Sequence, residues 1–334
     1  MAEEQRGARR DDAKAGGTSR RGALKAVVAG AGAVASLGVA ASAAHADGRG
    51  SGAPTFVLVH GSGSNSFYWQ PLLRELGLRG HRAIAVDLPG HGLGAYVPES
   101  YQCPQDLERL RTEPSPISEV TLGDFADHVI GVVRQARRNG PVVLVGGSLG
   151  GVTLNAVANR VPELLAHLVY ASAFCPTKHP SVLRLMTTPE AATSYMTRLP
   201  AVHTPPELGI SRVNWRSGDP AFLAVVKEAI AADRSDAEVR ALMNILEPDE
   251  SAAVGASEDA RGLPATWGRV PRTFVRYTQD RTIPPALQDL MIREADEAAP
   301  DNRFRVRSLT APHAGPRDVG LLAHELELVA RLCR

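Results

Sequence analysis

Along most of this chain, short apolar runs alternate with stretches of helical apolar spacing. Residues 55–60 (TFVLVH) form a continuous apolar run rich in β-branched side chains, bounded by Pro54 and Gly61, as in a strand covered on both faces. Residues 69–78 carry helical spacing. Residues 82–87 read as a second strand that must turn at Leu88-Pro89-Gly90-His91-Gly92. A helix is predicted over 121–138, with Thr121 and Asp124 as a capping pair and Asn139-Gly140 as its stop. A strand over 141–145, a helix over 149–160 and a strand over 167–171 continue the rhythm. It resumes late in the chain with a strand at 272–277, a helix at 285–299, a strand at 304–309 and a last helix from about 319 to 333. Such alternation specifies an α/β protein with a mostly parallel sheet and helices on both faces.

Two segments break the pattern. Residues 174–270 are helix-rich, are punctuated by prolines and show no clear strand, so they read as a helical cap inserted in one domain spanning 47–334. Residues 95–118 hold four prolines and Cys103, and read as a loop over the site or a surface insertion.

Composition narrows the function classes. The 334 residues carry a net charge of +1, with acidic and basic side chains interspersed after residue 50, which gives no electrostatic case for nucleic acid. Cys103, Cys175 and Cys333 are too few and too scattered for a disulfide framework or a zinc site, and no metal or cofactor is expected. The first 46 residues are polar, then present Ser19-Arg20-Arg21-Gly22, an uncharged run over 26–44, and Ala44-His45-Ala46 before Asp47. This order describes a signal peptide of the twin-arginine type, cleaved after Ala46, leaving an exported protein with no stable membrane anchor.

The chemistry centres on Gly146-Gly147-Ser148-Leu149-Gly150-Gly151, between an apolar strand and a helix. A G-x-S-x-G in that setting is a nucleophile elbow: Gly146 and Gly150 make room for a sharp turn that presents the Ser148 hydroxyl at the helix N-terminus. An oxyanion hole needs two converging backbone N–H groups. Leu149, after the nucleophile, and Ser62, in His60-Gly61-Ser62-Gly63 after the first strand, are the expected donors. His60 should brace that loop. The orienting acid and the base should follow in that order on loops after later strands, which selects Asp280 after 272–277 and His313 after 304–309. His324 is a rival base, but its helix should pack it against the sheet. Asp289, Asp296 and Asp301 lie on or beyond a helix, and Asp249 falls in the cap. Trp215 and Met243 are expected either to line an acyl pocket or to fill the cap's core.

With these residues in view, the chain resembles the α/β-hydrolase superfamily, and within it the branch of plant methylesterases and hydroxynitrile lyases with their bacterial esterase relatives. The markers are Phe56-Val-Leu-Val-His-Gly61 with Trp69, Val86-Asp-Leu-Pro-Gly-His-Gly92, the Ser148 elbow, and Gln279-Asp280-x-x-Ile283-Pro284. The resemblance implies the α/β-hydrolase fold, with Ser148, Asp280 and His313 as nucleophile, acid and base and the amides of Ser62 and Leu149 as oxyanion donors. The plant lyases carry Thr where this chain has Gly61, and Lys after the catalytic His where it has Ala314. Gly147 stands where His is frequent, an exchange expected to open space near the nucleophile. The implied activity is hydrolysis of small-molecule carboxylic esters, lactones included. A hydroxynitrile or carbon–carbon lyase on the same triad, and a slow-turnover binding protein on the same fold, are the alternatives.

Overall fold

A computed structural model describes residues 52–333; the expected signal peptide lies outside the described residues. The strands are β1 (Thr55–Val59), β2 (Arg82–Val86), β3 (Val142–Ser148), β4 (His167–Ala173), β5 (Ala201–Val202), β6 (Ile210–Val213), β7 (Asp249–Ser251), β8 (Arg272–Tyr277) and β9 (Arg305–Leu309). The α-helices are α1 (Gln70–Leu78), α2 (Leu107–Thr112), α3 (Leu122–Ala136), α4 (Gly150–Arg160), α5 (Val182–Leu185), α6 (Pro220–Ile230), α7 (Asp236–Met243), α8 (Pro285–Ala298) and α9 (Val319–Leu332). Six strands build one parallel sheet in the order β2-β1-β3-β4-β8-β9, as the alternation predicts.

The period of two along each inner strand divides the core between the sheet's faces. Val57, Val59, Val142 and Leu144 pack with side chains of α3, α4 and α8, including Phe125, Val129, Leu154 and Leu287. Phe56, Leu58, Val143 and Val145 point the other way, against Leu72 and Leu76 of α1 and Leu322, Leu326 and Val329 of α9. Each fully buried aliphatic side chain contributes about 1.5–3 kcal/mol, which explains why the inner strands read as unbroken apolar runs. The edge strand β9 instead exposes Arg305 and Arg307, charges that discourage edge-to-edge pairing. The Thr121 side chain accepts from the Asp124 amide while Asp124 accepts from the Thr121 amide, closing the capping box of α3.

The cap differs from expectation in one respect. Besides helices it holds a small antiparallel sheet, β5-β6-β7. These strands escape sequence reading because they are two to four residues long and are anchored by charge rather than by an apolar run. Arg212 in β6 is buried and donates to both carboxylate oxygens of Asp249 in β7, at 2.5 and 2.7 Å. Its remaining nitrogen donates to the carbonyls of Leu110 and Glu113, at 2.5 and 2.8 Å. The insertion over 95–118 is therefore pinned to the cap through one guanidinium, and Glu113 organises it further by accepting from the Tyr96 hydroxyl and the amides of Glu99 and Ser100. The three cysteines are free thiols.

Removing one member of a buried, hydrogen-bonded ion pair strands the other, at about 3–5 kcal/mol. Arg212→Ala and Asp249→Ala should each lower unfolding free energy by that amount in urea titrations, and the double variant by less than the sum. Single variants within 1 kcal/mol of wild type, on the order of normal surface effects, would contradict the anchoring role.

Candidate active site

Three loops converge at the C-terminal edge of the sheet, after β3, β8 and β9. Ser148 ends β3 with φ +51°, a left-handed backbone that L-residues avoid. The turn is so tight that a Cβ on Gly150 would lie 2.6 Å from the His60 carbonyl oxygen, and one on Gly146 2.7 Å from Leu154 Cδ1. The hydroxyl stands just before the N-terminus of α4, where the helix dipole favours negative charge.

The structure brings together the three side chains selected from the sequence. His313 Nε2 lies 3.0 Å from Ser148 Oγ, and His313 Nδ1 lies 2.6 Å from Asp280 Oδ2. A carboxylate can only accept, so Nδ1 carries the proton and donates it to Asp280, leaving Nε2 to accept from the serine hydroxyl. That is the arrangement in which an imidazole can remove a proton from serine as it attacks. Asp280 is itself held from four sides. Its Oδ1 accepts from the amides of Thr282 and Ile283 at 2.7 and 2.8 Å, and its Oδ2 also accepts from Ser172 Oγ at 2.6 Å. The buried Gln288 side chain staples this loop by bonding the amide and carbonyl of Tyr277 and the carbonyl of Ile283. On the other side, the Ala314 amide donates to the Ile230 carbonyl at 2.8 Å, which fixes the histidine loop to the end of cap helix α6.

Ser172 was not visible in the sequence. It lies in β4 at φ +41°, and with Ser148 it is one of two non-glycine residues with positive φ among the described residues. The register between β3 and β4 shifts where Ser148 pairs with Ala173. That irregularity turns the buried Ser172 hydroxyl onto the carboxylate. A serine at the C-terminal end of a strand beside the nucleophile strand was the available signal.

Ser148 and His313 open on a cavity of about 490 Å³ between sheet and cap. Ser62 and Leu149 line it, as does Trp215; Met243 instead packs in the cap's core with Phe222 and Val239. Tyr68 lines it too, its hydroxyl pushed up to about 12 by burial and then by the charge of Asp280, so it stays neutral. His60 braces the loop after β1: Nε2 accepts from the Leu88 amide at 3.1 Å and Nδ1 faces the Gly61 carbonyl at 2.8 Å. Burial, and next the neighbouring His91, push its pKa down to about 4. Two expectations are corrected. The room left by Gly147 is filled by the Trp69 ring, which a Cβ there would meet at 3.3 Å. His324 faces solvent on α9 rather than the sheet, near Glu327. Asp289 pairs with Arg276 and Asp296 accepts from the Phe304 amide, so neither belongs to the cluster.

The model of the alpha/beta hydrolase family matches residues 56–331, and the chain belongs to that family. It is 23% identical to Methylesterase 18 of Arabidopsis thaliana over 245 residues, covering 71% of this chain and 83% of that one. It is 30% identical to an alpha-hydroxynitrile lyase of Arabidopsis thaliana over 122 residues, a match spanning 36% of this chain and only 40% of the lyase. Among solved structures, a pyrethroid hydrolase from Sphingobium faniae JZ-2 superposes with a TM-score of 0.61 at 19% identity, covering 83% of this chain and 97% of that one. That likeness shows the fold. The relatives fall in the branch expected from the sequence.

A hydrogen bond to a charged group is worth about 1.5–3 kcal/mol. Ser172→Ala should therefore slow covalent labelling of Ser148 by an organophosphonate about tenfold or more. Ser172→Gly, which also lacks the hydroxyl but relieves the backbone, should label as slowly while melting higher than the alanine variant. Wild-type labelling in both would remove Ser172 from the site.

Proposed function

We propose that this protein hydrolyses carboxylic esters of small, neutral molecules with a bulky apolar group, through an acyl-enzyme on Ser148. The observation that carries this reading is the unbroken series from Ser148 Oγ through His313 to Asp280, at the mouth of a largely apolar cavity. Ser148 Oγ attacks the ester carbonyl carbon while its proton passes to His313 Nε2. Asp280 holds the ring and stabilises the imidazolium that forms. The amides of Ser62 and Leu149 receive the developing oxyanion. Collapse of the tetrahedral intermediate breaks the bond to the alkoxy oxygen, which takes the proton from His313 and leaves as the alcohol. Water then attacks the acyl carbon, gives its proton to His313, and the acid departs as Ser148 regains its hydrogen. A lactone is opened by the same two steps.

The cavity supports the substrate class. Val182, Met186, Met196, Leu199, Trp215 and Ile230 supply an apolar wall, and no lysine or arginine stands among the lining residues to receive a free carboxylate. Two methionines can adjust to irregular apolar shapes. Hydrolysis is favoured over cyanide release by two positions. A Cβ at Gly61 would lie 2.7 Å from Ser148 Cβ, so the threonine of the plant lyases has no room, and Ala314 supplies no cation beside His313. Export is part of the same reading, resting on the paired arginines, the uncharged run and the small-x-small site in the first 46 residues.

Ser148→Ala should leave the melting temperature near wild type while lowering kcat by several powers of ten. Profiling acyl esters of graded bulk should show kcat/KM rising from acetyl to larger apolar acyl groups. The exported form should begin at Asp47 by N-terminal sequencing.

A further inference from the structure

The loop that carries Ser62 is gripped by the cap. Gly63 has φ +56°, its amide donates to Glu250 Oε2 at 3.0 Å, and its carbonyl accepts from the Glu247 amide at 2.8 Å. Glu247 Oε1 also accepts from Asn65 Nδ2 and the Gly92 amide, both at 2.8 Å. One cap segment therefore holds both peptide groups of the residue after the expected oxyanion donor, along with the turn after β2. Glu250 is buried, and its other oxygen accepts from the Ser251 amide at 3.0 Å.

The charge on this clamp follows from its neighbours. His91 Nε2 meets Glu250 Oε2 at 3.3 Å, an ion-pair contact rather than an aligned hydrogen bond, and His91 Nδ1 faces the Pro89 carbonyl at 3.1 Å. Both neighbours are acceptors, so a proton on each nitrogen suits the ring's surroundings. The adjacent His60, with ring centroids 4.9 Å away, receives a backbone N–H and is therefore neutral. Phe125 of α3 closes the other side. The remaining charged groups facing His91 and His60 are Glu247 from the cap and Asp87 at the end of β2.

We infer that Glu250, paired with a protonated His91, is a positioning residue that sets the Gly63 peptide and through it the oxyanion amide of Ser62. The inference rests on the esterase reading for its kinetic consequence and on hydrogen bonds alone for its structural one. Burial by itself would lower the His91 pKa, but the close carboxylate of Glu250 outweighs it and holds it above histidine's ordinary value. Burial would raise that of Glu250, but His91 and the Gly63 amide hold it below the usual carboxylate value. The His91 contribution is complete below histidine's ordinary pKa and fades as pH rises through the raised one. The Glu250 contribution is complete above the ordinary carboxylate pKa and fades as pH falls through the lowered one. The ion pair is thus complete between those limits, while the Gly63 and Ser251 amides hold Glu250 whether or not His91 keeps its proton.

The test compares the wild-type chain with Glu250→Gln and Glu250→Ala, by amide hydrogen exchange across residues 61–66 and by kinetics on a short acyl ester. Loss of the clamp should speed exchange of that segment at least about tenfold in the alanine variant, with distant segments unchanged. A misplaced oxyanion donor costs on the order of 10²–10³ in kcat when it is removed outright. A fall of about 10- to 100-fold at nearly constant KM is therefore expected for Glu250→Ala, and a smaller one for Glu250→Gln, whose amide oxygen still accepts from Gly63. Unchanged exchange and kcat in both variants would overturn the inference, as would a rise in KM at constant kcat, which would make Glu250 a substrate contact. If Glu250→Ala does not fold, Glu250→Gln decides by the same readouts. A wild-type chain inactive on every ester would sink the esterase reading alone, because exchange across 61–66 still reports the clamp.

Discussion

A serine held at φ +51° at the end of the central strand sets the terms for everything around it. A residue in a sparsely populated backbone region costs of order 1–3 kcal/mol and persists only where its surroundings over-determine it. Here they do. β1 and β4 hold β3 in register from both sides, and α4 leaves the turn at once. A Cβ would come within 3 Å of the His60 carbonyl at 150, of Leu154 Cδ1 at 146 and of Ser148 Cβ at 61, which favours glycine at all three.

Around that hydroxyl, hydrogen bonding is most complete at the carboxylate. Asp280 receives four donors: two backbone amides, one imidazole and one hydroxyl. His60 and His91 stand side by side in opposite surroundings, because one faces a donor and the other faces acceptors. In the low-dielectric interior an unmatched group would be costly, so each partner fixes the proton of the next. The cap enters this network through Glu247, Glu250 and the Ile230 carbonyl, which tie it to the loops around Ser148 and His313.

The sheet was legible in the sequence because strands covered on both faces must be apolar throughout, and 55–60, 141–145 and 167–171 show this plainly. The cap was legible only as an interruption. Its strands are short and are held by Arg212 and Asp249, a pairing 37 residues apart that no local pattern announces. Ser148, His313 and Asp280 could be selected because chain order and strand-end position constrain them. Ser172 and Glu250 could not, since each acts by pointing at a residue distant in sequence: Asp280, 108 residues on, and Gly63, 187 residues back.

What the sequence determined by itself was the alternation of strands and helices, the glycine-flanked serine turn and the order of the loops that follow it, because these depend on local propensity and on a period of two or 3.6. What only tertiary structure decided was which donors meet which acceptors: the Ser172 hydroxyl on Asp280, the cap's carboxylate on the Gly63 amide, and Trp69 over Gly147. Hydrogen bonds and close packing act over about three to four ångströms, and that proximity is created by folding.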